Sequence, residues 1–125
     1  MDLKQEFGKL LKNGFHDAEL THSAIFNENG PKENYVITSY LSIANSYINA
    51  AKAVYICNAE LAKPEVSELF AEFDAFSDEV MANISSIVPL GNIAVEPRHQ
   101  WTDNHFPKLK AAYEKSLNSF ASPTS

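Results

Sequence analysis

The chain is short of the residues that build several common functional sites. It has 125 residues but only four glycines, and none of them falls in a nucleophile elbow, a P-loop or a dinucleotide fingerprint. One cysteine, Cys57, leaves no partner for an intramolecular disulfide and no multi-cysteine zinc site. Arg98 is the only arginine and Trp101 the only tryptophan. Basic residues total 10 against 16 acidic ones, a formal net charge of −6, which disfavours nonspecific binding to nucleic acid or to an anionic membrane. No stretch approaches the ~18 uninterrupted apolar residues of a membrane span. The amphipathic, charged N-terminus lacks the apolar core of a secretory signal. No membrane association and a cytoplasmic location are therefore expected.

What is present is helical periodicity. At 45% apolar residues the chain suits one globular domain, residues 1–125, with a frayed tail at about 121–125. Residues 34–58 contain neither glycine nor proline and predict a long central helix with two apolar rows. One row runs Ile37, Leu41, Ala44, Ile48, Ala51, Tyr55; the other runs Val36, Tyr40, Ile43, Tyr47, Ala50, Val54. Two rows imply a wide buried face, with the third helix on one side and the first and last on the other. Thr38, Ser42, Asn45, Asn49 and Lys52 form a narrow polar strip, read as a packed seam or, if one row stays uncovered, a dimer contact. Cys57, in an apolar run, is expected in the core.

The flanking elements follow from caps and breakers. Asp2 with Gln5 marks the start of a first helix, and Asn13-Gly14 reads as its stop. Residues 15–30 are expected to form a second short helix or an ordered loop, with a clear break at 27–31. Pro64 opens a third helix with Glu65 and Glu68 in its first turns. Its apolar face is Val66, Leu69, Phe70, Phe73, Phe76, Val80, Met81, Ile84, Ile87 and Val88. Residues 89–106 show neither period. The last helix starts near Pro107, capped by Asp103 or Asn104, with Leu109, Tyr113, Leu117 and Phe120 inward. Together these predict an all-α fold: an antiparallel bundle of four to five helices with a long central helix.

Candidate chemistry is sparse. No inward Glu-x-x-His pairs support a di-iron site, and His16 and His22, six apart, face different sides of a helix and are read as ordinary surface or half-buried histidines. Glu65, Glu68 and Glu72 read as a solvated face. No metal and no cofactor are expected. One segment is denser: Arg98-His99-Gln100-Trp101-Thr102-Asp103-Asn104-His105 gathers the only Arg, the only Trp, two His, an acid and two amides.

With Arg98, a polar His99 and His105 six intervening residues on, just before the last helix, the chain resembles the HEPN family of small helical-bundle domains, many of them RNases. The run from Ser46 to Phe76 also looks like the long second helix, turn and third helix of such domains, and the resemblance covers roughly residues 35–120. It implies metal-independent RNA cleavage. His105 would act as general acid or base on the ribose 2′-OH and Arg98 would stabilise charge on the phosphate, often across a dimer cleft. His99, Trp101, Asp103 and Asn104 would be binding residues, with Trp101 a stacking surface for a base. The competing reading of the same residues is structural: Trp101 and Phe106 plug the bundle end while Arg98 pairs with Glu96 or Asp103. The apolar surplus of the central helix points instead to association, with a second copy or a protein partner, as the main function. RNA or nucleotide binding is the alternative.

Overall fold

The computed structural model describes residues 2–27, 34–85 and 102–121. It is an all-α bundle of four helices: α1 (Leu3–Phe26), α2 (Asn34–Cys57), α3 (Pro64–Ser85) and α4 (Phe106–Ala121), with a short 3-10 turn, Ala59–Leu61, between α2 and α3. No strand occurs among the described residues.

Packing partners show the helix directions. On α1 and α2, Gly14 lies against Ile48, while Phe7, nearer the start of α1, and Tyr55, nearer the end of α2, both pack on Phe70. On α1 and α4, Phe15 stacks on Tyr113 with centroids 4.2 Å apart and His22 stacks on Phe106 at 4.0 Å. On α3 and α4, Glu65 meets Ser116 and Glu79 meets the residues just before Phe106. Each sequential neighbour therefore runs antiparallel. The main interfaces are α1 with α2 and α3 with α4; α1 also lies along α4, and α2 touches α3 more lightly.

The core is one cluster fed by all four helices. Phe7, Leu11, Ile37, Ile48, Leu61, Leu69, Phe73 and Leu109 are essentially sealed from solvent. Leu61, from the 3-10 turn, closes the end where α2 passes to α3, and Pro64 occupies the first position of α3, where its missing N–H costs nothing. Two buried hydroxyls satisfy themselves on backbone: Thr21 Oγ1 donates to Asp17 O at 2.8 Å, and Ser116 Oγ to Glu65 O at 3.0 Å, the latter tying α4 to the first turn of α3.

Several expectations need correction. Asp2 caps α1, its side chain accepting from Lys4 N at 3.1 Å, but Asn13-Gly14 does not end the helix. Gly14 is buried at the crossing with α2, where a Cβ would lie 2.7 Å from Ile48 Cδ1 and 2.8 Å from Cγ1. The glycine is there for close helix approach, and α1 continues unbroken to Phe26, capped at its end by the Asn27 N–H bond to Ser23 O. The second apolar row of α2 is not a second buried face. Val36, Tyr40, Tyr47 and Val54 are half-buried, and Ile43 and Ala50 are exposed. The reason is that α4 takes α3 and α1 as its principal neighbours, leaving α2 flanked mainly by α1. Cys57 is exposed, because it projects from the side of α2 opposite the Ile37–Ala51 row. Met81 and Leu117 are also substantially exposed. Ile87, Val88 and residues 89–101 of the irregular connection expected at 89–106 lie outside the described residues, as does the Phe120 side chain.

Candidate functional site

The segment 102–105, which leads into α4, is held by side chains from two other helices. Asn83 of α3, nearly buried, brackets the backbone of Thr102: its Nδ2 donates to Thr102 O at 3.2 Å, and its Oδ1 accepts from Thr102 N at 3.3 Å. One turn earlier on α3, the Glu79 carboxylate accepts from Thr102 Oγ1 at 2.6 Å, Asn104 N at 3.0 Å and His105 N at 2.9 Å. The N–H groups of Asn104 and His105, just ahead of α4, are thus held by a carboxylate from α3. A negative charge here also suits the positive end of the α4 dipole. Burial is the largest influence on the Glu79 carboxyl and pushes its pKa up. The hydrogen bonds from Thr102, Asn104 and His105, with the charge of His105, together outweigh it and hold the group below the ordinary carboxylate range.

Asp103 is free of the capping role and reaches α1 instead. Its Oδ2 lies 2.9 Å from His22 Nε2, and the His22 ring is sandwiched against Phe106 and tilted over Phe26. His22 thus belongs to the site. Its sequence neighbours gave no sign of this, because its partner is 81 positions away. His105 is half-buried with Nδ1 turned inward, 3.9 Å from Glu72 Oε1 and without a hydrogen-bond partner. Glu72 therefore leaves the solvated acidic face expected of it, whereas Glu68 stays exposed, paired to Lys115 at 3.1 Å. Phe106 does plug the bundle end, among Phe15, His22 and Phe76.

Of the residues singled out in the sequence, Asp103, Asn104 and His105 are gathered at this end, but their backbone or side chains serve the α1–α3–α4 junction. Arg98, His99 and Trp101 lie outside the described residues. Glu72 lies 3.9 Å from the His105 ring, and Glu79 holds the His105 backbone N–H. His16 is exposed. Among the described residues no group of three or more His, Cys, Asp or Glu is placed to hold a metal ion, and no helix is long and apolar enough to cross a membrane.

The other surface of note is the side of α2 opposite the core. α2 carries a single charge, Lys52, and that side chain turns sideways to Asp74 of α3 at 3.0 Å and over the Phe70 ring. Asn45 does likewise, donating to Ser77 at 3.4 Å, so part of the expected polar strip is a seam with α3. The outward side is left with Tyr35, Ser39, Ser42, Ile43, Ser46, Asn49, Ala50, Ala53, Ile56 and Cys57, all exposed and none of them Lys, Arg, Asp or Glu. Every other helix exposes charges: Lys4, Lys9, Lys12 and Glu19 on α1; Asp74 and Asp78 on α3; Lys108, Lys110 and Glu114 on α4. Within the α2 face, Ser39 Oγ donates to Tyr35 O at 2.8 Å and Ser46 Oγ to Ser42 O at 3.1 Å, so these hydroxyls are already bonded to their own helix. Near its start, Thr38, Ser39, Ser42 and Ile43 line a shallow groove. Comparison of the chain with protein-family models, curated proteins and solved structures finds no match.

Proposed function

We propose that this chain works by association, and that the outward face of α2 is the contact, taken by a second copy of the same chain. The observation that carries the reading is the pattern of exposure. Ser39, Ile43, Ser46, Ala50, Ala53 and Cys57 are all exposed and recur at alternating spacings of four and three, the repeat of a helix that packs against another helix. A face meant for water would hold charged residues at such positions, as the other three helices do. Serine hydroxyls that already donate to their own backbone lose little on leaving water. An uncharged face has no need of a charged partner, and a two-fold axis pairs it with itself.

The face is about 36 Å long and on the order of 10 Å wide, so a pair buries on the order of 800 Å² in total, the size of a weak or transient interface. Sedimentation equilibrium should therefore show a reversible monomer–dimer equilibrium in the micromolar to millimolar range. Ile43→Glu should shift it at least about tenfold toward monomer without altering the helical circular dichroism, since Ile43 is exposed in the monomer. Lys110→Glu on α4 should leave it unchanged. A chain that remains monomeric at about 1 mM overturns the reading. A cytoplasmic setting fits a chain with one exposed, unpaired cysteine.

The second reading, HEPN-like RNA cleavage by Arg98 and His105, has one support among the described residues. His105 is fixed at its backbone by Glu79 and faces a carboxylate, Glu72, across Nδ1, a setting in which a histidine can be oriented for proton transfer. Incubation of purified protein with mixed RNA in EDTA tests it. Chelator-resistant cleavage abolished by His105→Ala supports it, and equal cleavage by both proteins, or none, removes it.

A further inference from the structure

The junction ahead of α4 holds two histidines, each set against a carboxylate through a different ring nitrogen. We propose that Glu72 is a positioning residue for His105: it holds the ring proton on Nδ1 and leaves Nε2 as the proton-accepting nitrogen. The part this gives Nε2 in proton transfer rests on the RNA-cleavage reading; the placement of the proton does not.

The backbone of His105 is pinned on both sides. Its N–H donates to Glu79 Oε1 at 2.9 Å, and its carbonyl accepts from Leu109 N at 2.9 Å as α4 begins. Glu72 lies about two turns before Glu79 on α3, so one carboxylate holds the main chain and the other lies by the ring. Nδ1 of His105 is sealed from solvent, has no hydrogen-bond partner and stands 3.9 Å from Glu72 Oε1. The side chain is nonetheless 33% exposed, so the accessible edge of the ring is the one that carries Nε2.

Burial and charge together decide the tautomer. A neutral imidazole has one N–H and one bare nitrogen. Bare, Nδ1 would turn its lone pair on a carboxylate, with no donor in reach. Protonated, it is attracted to Glu72, and a shift of about 1 Å brings the pair into hydrogen-bond range. Nε2 then keeps its lone pair on the accessible side. His22 is the opposite case. Its Nε2 lies 2.9 Å from Asp103 Oδ2, and an ionised carboxylate only accepts, so there the proton sits on Nε2.

In RNA cleavage the ribose 2′-OH proton passes to His105 Nε2. The oxygen keeps the bonding pair and attacks phosphorus, and the 5′-oxygen leaves with the P–O pair and takes a proton from solvent. The imidazolium so formed keeps its Nδ1–H toward Glu72, whose charge stabilises it.

Long-range proton–nitrogen correlation NMR of the isotope-labelled full-length protein at about pH 8, above the ordinary histidine range, reads the tautomers directly, because protonated and bare ring nitrogens resonate far apart. The result expected is His105 protonated on Nδ1 and His22 on Nε2. Glu72→Ala should move His105 at least several-fold toward the other tautomer and leave His22 unmoved. A wild-type His105 protonated on Nε2, which needs no variant to fold, or a tautomer indifferent to Glu72→Ala, overturns the proposal. Cleavage of mixed RNA in EDTA is the second arm. A general base contributes about 10²–10⁴-fold, so Glu72→Ala, which loses only its orientation, should lower kcat by about tenfold or more, less than His105→Ala does, with KM unchanged. A kcat equal to wild type overturns the positioning role. No cleavage by wild type removes the RNA-cleavage reading and the positioning role with it, while the nitrogen shifts still decide where the proton sits.

Discussion

Two glycines on one helix give the sharpest contrast at the level of single residues. Gly8 has nothing within 4 Å of where a Cβ would sit, so Gly8→Ala should stabilise the chain by about 0.5–1 kcal/mol through helix propensity alone. Gly14 has the same propensity to gain, but its added methyl would press on Ile48, itself sealed in the core. Overpacking costs about 1–3 kcal/mol, so Gly14→Ala should be net destabilising, and Ile48→Val, which removes the nearer of the two clashing atoms, should lessen that loss. Thermal or urea unfolding of the four proteins measures both signs. Glu79 offers a pH test. Its folded pKa lies below the unfolded value, so its contribution is fully present above about pH 4.5 and is lost as pH falls through the folded pKa. Glu79→Gln keeps the shape but only one acceptor oxygen for three donors, and should cost about 1–2 kcal/mol at neutral pH. The gap between wild type and variant should shrink as pH is lowered below 4.5; a gap constant down to pH 3 would contradict the assignment.

At the level of elements, α4 depends on α3 for its beginning. Asn83→Ala removes both bonds to Thr102, whose exposed backbone groups turn to water instead, at a cost of about 0.5–1.5 kcal/mol. Hydrogen exchange should report this locally: amides of Thr102, Asn104 and His105 lose protection while those of Leu109 to Ser116, held by the core, keep theirs. Uniform loss along α4 would mean that the helix has no independent hold. The same dependence explains what the sequence could and could not convey. The buried row Ile37, Leu41, Ala44, Ile48, Ala51 and the start of α3 at Pro64 are properties of a local pattern, and periodicity reveals them. Asn13-Gly14 looks the same whether the glycine ends a helix or admits Ile48; only the neighbouring helix distinguishes the two. Likewise the hold on Asn104 and His105 comes from Glu79, some 25 positions away, and the partner of His22, Asp103, from the segment ahead of α4, so neither Asp103's nor His22's role has a local signature. Cys57 was misplaced for a related reason: an apolar run next to a cysteine says nothing about which side of α2 faces out.

At the level of the whole molecule, net charge and interface chemistry act in opposite directions, and their balance gives a prediction. Each copy carries −6, so two copies repel one another over roughly a Debye length. The proposed contact contributes no ion pair to oppose this, since Lys52, the one charge of α2, is already engaged with Asp74 on its own chain. Raising salt therefore screens the repulsion and leaves the attraction intact, and the burial of Ile43, Ala50 and Ala53 is if anything strengthened in concentrated salt. Dimerisation should accordingly tighten, by a few-fold at most, between about 0.05 and 0.5 M sodium chloride, because the Debye length falls from about 14 to 4 Å over that range. An interface built on charge pairs would weaken over the same range, as would one in which a basic segment of one copy meets the acidic surface of another. Sedimentation at a few salt concentrations separates these cases by the sign of one slope. A dimer that weakens with salt would place the contact somewhere other than the uncharged face of α2.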